Sequence, residues 1–156
     1  MTSKQDFTDD EWTRIRRAPL VAGVAISLAD PGGPIELAKE TMASLRSATL
    51  PPSQEELLAS VALDIQALTQ RKQNPLGDFK PRGGQQVLEE LREVNELVTA
   101  KATPQEVAAF RGWLLAAAQA AADAGKEGGF MGFGAERVSA GERQMLEQVR
   151  AVLGMA

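Results

Sequence analysis

The residues with the most chemical promise lie in one glycine-rich run, DAGKEGGFMGFGAERVSAGE, from Asp123 to Glu142. Phosphate cradles, calcium loops and plain connectors all use glycine at such density. A phosphate cradle presents backbone N–H groups at a helix N-terminus, usually after a buried strand, and closes with Gly-Lys-Ser/Thr. Here Gly125-Lys126 is followed by Glu127, and the residues upstream have helical periodicity. The hydroxyl that would bind magnesium is missing, which removes most of the nucleotide-binding case. A calcium loop of the EF-hand kind places oxygen ligands at positions 1, 3 and 5, glycine at 6 and a bidentate glutamate at 12. Counted from Asp123, Gly125 stands third, Glu127 fifth, Gly128 sixth and Gly134 twelfth, so the closing carboxylate is absent. A looser site would draw on Asp123, Glu127 and Glu136 or Glu142. The competing structural reading makes Asp123 a polar helix end and Glu142 half of a helix cap.

Phe130, Met131 and Phe133 sit among these glycines. Large apolar side chains on flexible backbone are costly to leave in water, so they either fold back over the core or meet a partner. They are the candidate interaction loop. The other basic or acidic clusters carry less. Arg71, Lys72, Lys80 and Arg82 flank Phe79 in a linker, too few cations for a specific polyanion site in a chain of net charge −4. Glu89, Glu93 and Glu96 share one helical face and read as solvated, with Arg92 the only near cation on that helix.

The remaining inventory excludes whole reaction classes. The 156 residues contain no histidine, cysteine or tyrosine. Nucleophile–histidine triads, thiolate chemistry, zinc fingers and tyrosine general acids are therefore ruled out. Disulfides are ruled out too, and with no signal-like segment at the start a cytoplasmic location is expected. The longest apolar run, Pro19 to Ala29, is about half the roughly 20 residues that span a bilayer, so it reads as a buried helix. The acidic balance argues against nucleic acid as a partner.

The elements that must position these residues are all helical. Four segments pair Ser or Thr with Glu three residues on, the reciprocal cap of a helix N-terminus: Thr8/Glu11, Ser53/Glu56, Thr103/Glu106 and Ser139/Glu142. Phe7 and Trp12 stand where a hydrophobic staple falls, and Pro104 occupies a first helical position. Behind the caps run apolar stripes at three- and four-residue spacing: Ile35/Ala38/Met42/Leu45, Leu57/Val61/Ile65/Leu68, Val87/Leu91/Val94/Val98, Val107/Phe110/Leu114/Ala118 and Met145/Val149/Val152. No convincing period-two strand occurs. The predicted fold is all-α, a single domain of seven helices at about 9–17, 19–30, 34–47, 53–70, 84–100, 104–124 and 139–153. Alanine concentrates in the second and sixth of these, and small side chains let axes approach closely, so both are expected at the centre.

Those two helices also resemble each other. VAGVAISLAD (residues 21–30) aligns with LLAAAQAAAD (114–123), each followed by a glycine turn, then an apolar residue and a helix with early glutamates: Ile35, Glu36 and Glu40 in one case, Val138, Ser139 and Glu142 in the other. The pattern defines two pseudo-repeat units, about 9–70 and 84–156, joined by 71–83. It resembles the repeated Ala-Asp-Gly turn of tellurite-resistance TerB-like helical domains of bacteria. That resemblance implies an all-helical bundle and a divalent cation held by acidic residues near the turns, which correspond here to Asp30, Glu36, Asp123 and Glu142. The first turn departs from the family's pattern with Pro-Gly-Gly-Pro, and the second carries an insertion before Ser139. The expected function is a non-enzymatic, cation-responsive binding module that meets a protein partner or a second copy through the Gly/Phe loop. The alternatives are a small-ligand-binding protein or enzyme with 125–138 as a lid, and a structural oligomerisation unit.

Overall fold

The structure, a computed structural model, describes residues 2–29, 34–126 and 140–155, with the side chains of 34–38 and 125–126 outside the description. Among these residues the regular elements are a 3₁₀ turn (Lys4–Asp6) and six α-helices: α1 (Asp9–Ala29), α2 (Pro34–Thr49), α3 (Glu56–Gln70), α4 (Gly84–Lys101), α5 (Pro104–Lys126) and α6 (Ala140–Val152). The all-α class is as expected. The count of seven is not, because the first two expected helices are one.

The sequence reading puts a break at Pro19, yet α1 runs through it. A mid-helix proline forfeits the bond to the carbonyl four residues back and costs about 3 kcal/mol. Burial on both sides outweighs this, since Trp12, Ile15, Ala18, Leu20, Val21, Ala22, Ala25 and Ile26 are all in the core. Ser53 is the second correction. Helix α3 begins at Glu56, its N-cap residue Glu55 makes no side-chain cap bond, and Ser53 Oγ only accepts from the Glu55 N–H at 3.4 Å. Pro51 and Pro52 stand immediately upstream, where each disfavours helical backbone at the residue before it.

Two other caps form as the sequence indicates. Thr8 N–H donates to Glu11 Oε1 at 2.9 Å and Glu11 N–H to Thr8 Oγ1 at 3.1 Å, with the Phe7 and Trp12 rings 6.1 Å apart. Thr103 and Glu106 exchange the same pair of bonds at 3.1 and 3.2 Å. The Ser139 cap lies outside the described residues. At the other end of the chain, Gly154 terminates α6 with φ +71°, a left-handed position that lets Met155 N–H reach the Arg150 carbonyl.

Helices α1 and α5 are the centre of the bundle: each packs on the other and on every remaining helix. Their contact faces are rich in fully buried alanines, Ala18, Ala22 and Ala25 on α1 and Ala117, Ala118, Ala121 and Ala122 on α5. One continuous core joins residues of α1, α3, α4, α5 and α6 with Ala48 of α2. Helix α2 closes on α1 at its tightest point, where a Cβ placed on Gly23 would lie 2.0 Å from Ser44 Oγ and 2.7 Å from its Cβ. Among the described residues no helix is long and apolar enough to cross a membrane.

Gly23→Ala should therefore cost about 1–3 kcal/mol through forced separation of α1 and α2. Gly112→Ala on α5, where an added Cβ meets nothing within 4 Å, should gain about 0.5–1 kcal/mol from helix propensity. Urea unfolding of the two variants checks both signs.

Candidate functional site

Of the four carboxylates that the resemblance implies as cation ligands, Asp30 lies outside the described residues, and the side chain of Glu36 does too. Asp123 is exposed near the end of α5 and accepts from Gln119 Nε2 at 3.1 Å. Glu142 is buried in the first turn of α6. Among the described residues no group of three carboxylates is placed to hold a metal ion. Phe130, Met131 and Phe133, the candidate interaction loop, are outside the described residues, as are Glu127 and Glu136.

Arg71, Lys72, Lys80 and Arg82 of the linker and Glu89, Glu93 and Glu96 of α4 are exposed, as expected, but Glu90 and Phe79 beside them pack toward α1. Glu90, a residue between the marked glutamates, is 8% exposed and takes Arg14 Nη2 at 2.6 Å and Arg17 Nη2 at 3.1 Å. Arg14 also pairs with Glu93, whose side chain is still 52% exposed, so the stripe is solvated as expected while one member is paired across the helix interface. The guanidinium of Arg17 lies 4.9 Å from the centre of the Phe79 ring and 3.8 Å from Asp78. Phe79 thus ties the linker to α1. Burial disfavours the charge on Glu90, but hydrogen bonds from Arg14 and Arg17 more than offset it and hold the carboxyl below the ordinary glutamate range.

A second buried carboxylate, Glu106, fastens the beginning of the chain. Its Oε2 accepts from Thr2 N–H at 3.0 Å and its Oε1 from Thr2 Oγ1 at 2.7 Å, in addition to its role in capping α5. A third, Glu40 on α2, accepts from Ser27 Oγ on α1 at 2.5 Å. Beside it lies a cavity of about 170 Å³ lined by Leu20, Gly23, Val24, Ser27, Leu28, Thr41, Ser44 and Leu76. The cavity is mostly apolar, and two of its hydroxyls are engaged internally: Ser27 on the Glu40 carboxylate, Ser44 on the Glu40 main-chain carbonyl at 2.9 Å.

An open concavity lies between α2 and α5. Its volume is about 360 Å³, and its lining is Ala43, Arg46, Ser47, Leu50, Ala120, Asp123 and Ala124. The indole of Trp113, fully buried on α5, donates to the Ser47 carbonyl at 2.8 Å and fixes the end of α2 against α5. Alanines form the floor. Arg46 stands on the α2 bank and Asp123 on the α5 bank. Met42 and Arg46 on α2 and Leu50 immediately past its end follow one another at four-residue spacing and make an exposed ridge, with Met42 56% and Leu50 68% exposed. Sequence periodicity assigns Met42 to the apolar stripe of α2 facing the core. The helix turns Ser44 and Ala48 inward instead, which leaves Met42 on the outer face.

This arrangement is an all-α bundle with an amphipathic groove beside an exposed ridge of Met42, Arg46 and Leu50. Comparison with protein-family models, with curated proteins and with solved structures finds no match for the chain.

Glu90→Gln should cost about 2–4 kcal/mol, since two guanidinium groups lose their shared carboxylate. The figure is moderated by water around Arg14, whose side chain is 31% exposed. Because the native pKa of Glu90 is lowered, its contribution is complete above the unfolded glutamate range and is lost as pH falls through the native value. The urea midpoint of the wild-type protein should thus drop more between about pH 6 and pH 3 than that of Glu90→Gln.

Proposed function

We propose that the protein is a non-enzymatic binding module that receives an apolar-faced helical segment of a protein partner in the α2–α5 groove. The observation that carries this reading is the groove itself: a floor of alanines, one cation and one anion on opposite banks, and two large exposed apolar residues on the adjoining ridge. Small residues along a groove let a helix approach closely, and ridges of four-residue spacing are the shape that fills such grooves. The sequence resemblance of the two Ala-Asp segments to TerB-like domains supports the same class, and Asp123, in the last turn of α5, borders the groove.

The chemistry of the described residues also favours binding over catalysis. The Ser27 hydroxyl and the Glu40 carboxylate meet in the packed α1–α2 interface. Serine activation needs a base that is itself held by a third group. With histidine absent from the chain, the usual base for that role is missing.

A photo-crosslinking amino acid introduced at position 50 should give a discrete covalent protein adduct in cells. The same group at position 63 is the control, because Leu63 on α3 is 64% exposed against 68% for Leu50. Equal or absent crosslinking at the two positions would contradict the reading.

A further inference from the structure

We infer that the occupant of the α2–α5 groove is a second copy of this chain, paired about a two-fold axis that runs between the two α2 ridges. The inference rests on the groove being the binding surface, and names what fills it. Its basis is that the surface is complementary to itself. An isologous dimer brings each patch onto its own copy, so a residue that contacts another is contacted by it in return.

The ridge residues Met42, Arg46 and Leu50 are spaced evenly, with Arg46 at the midpoint. Two such ridges lying side by side and antiparallel, centred on Arg46, bring Met42 of each copy beside Leu50 of the other. Both are among the most exposed large apolar residues described, and the pairing removes them from water together. The charges obey the same symmetry. An arginine near the axis approaches its own symmetry mate, a repulsion that a nearby carboxylate relieves. Each groove supplies one, because Asp123 stands on the bank opposite Arg46. Ridge in groove therefore gives two equivalent Arg46–Asp123 pairs between copies, one on each side of the axis. The floor suits the fit: Ala43, Ala120 and Ala124 have no side chain beyond Cβ to obstruct an entering Leu50. A partner of one predominant charge would satisfy only one bank of the groove, whereas a second copy satisfies both.

The test is sedimentation of the full chain and of charge-reversal variants, alone and mixed. The wild type should be a dimer at micromolar concentration. Leu50→Asp should be a monomer with unchanged circular dichroism and melting temperature, since Leu50 is outside the core. Arg46→Asp sets a carboxylate at position 46 against Asp123 of the other copy, and Asp123→Arg sets a guanidinium at position 123 against Arg46. Each variant alone should therefore dissociate at least about tenfold more readily. Mixed in equal amounts they satisfy both pairs, and should form a heterodimer close to wild-type strength. A wild type that stays monomeric, a Leu50→Asp variant that still dimerises, or single variants that fail to recover on mixing would each overturn the inference. A monomeric wild type that nonetheless crosslinks through position 50 to a different protein would overturn the second copy while leaving the binding module intact.

Discussion

The close approach of α1 and α5 is the constraint from which the rest of the bundle follows. Alanines at the contact faces remove the bulk that would hold the axes apart, and both helices are long enough to touch every other helix. Larger residues then fill the space around this seam: Trp12 and Ile15 at one end of α1, Ile26 toward the other, Phe110, Trp113 and Leu114 on α5. The same logic of small residues acts once more between α1 and α2, where Gly23 admits Ser44. A helix so tightly seated cannot rotate its outer residues inward, and this is why the ridge of α2 remains in water.

Polar groups at the helix interfaces serve position more than chemistry. The Trp12 indole donates to Asp64 at 2.7 Å and joins α1 to α3. Trp113 reaches Ser47 and joins α5 to α2. Glu90 joins α4 to α1 through two arginines, and Glu106 anchors Thr2. Buried carboxylates elsewhere often mark catalytic sites. Here Glu90 and Glu106 have hydrogen-bond donors that satisfy them locally, and the pKa direction of each is downward, toward permanent charge. Such groups are poor proton donors at neutral pH and good structural anchors.

Local signals make much of the fold readable in the sequence. The Thr8/Glu11 and Thr103/Glu106 caps, the Phe7–Trp12 staple and the alanine-rich centre are all encoded within a few residues of one another. Signals that depend on distant packing mislead: Pro19 reads as a break because its cost is local while the burial that offsets it is tertiary, and Met42 reads as core because periodicity cannot say which neighbouring helix is present. Glu90 is indistinguishable from Glu89, Glu93 and Glu96 by composition. Only the position of Arg14 and Arg17 across the helix interface singles it out. The groove has no motif at all, since alanine, serine and one residue of each charge become a site only when α2 and α5 are juxtaposed.

Among the described residues, the groove and ridge bring the exposed Met42 and Leu50 beside one residue of each charge, the surface assigned above to a second copy. Methionine methyl NMR reads this directly, because Met42 is 56% exposed on the ridge while Met145 is 8% exposed in the core. Across a dilution series of the full chain, the Met42 methyl signal should shift or broaden with concentration while that of Met145 stays fixed. A Met42 signal that is independent of concentration, across the range where sedimentation shows the dimer dissociating, would contradict the second copy as occupant.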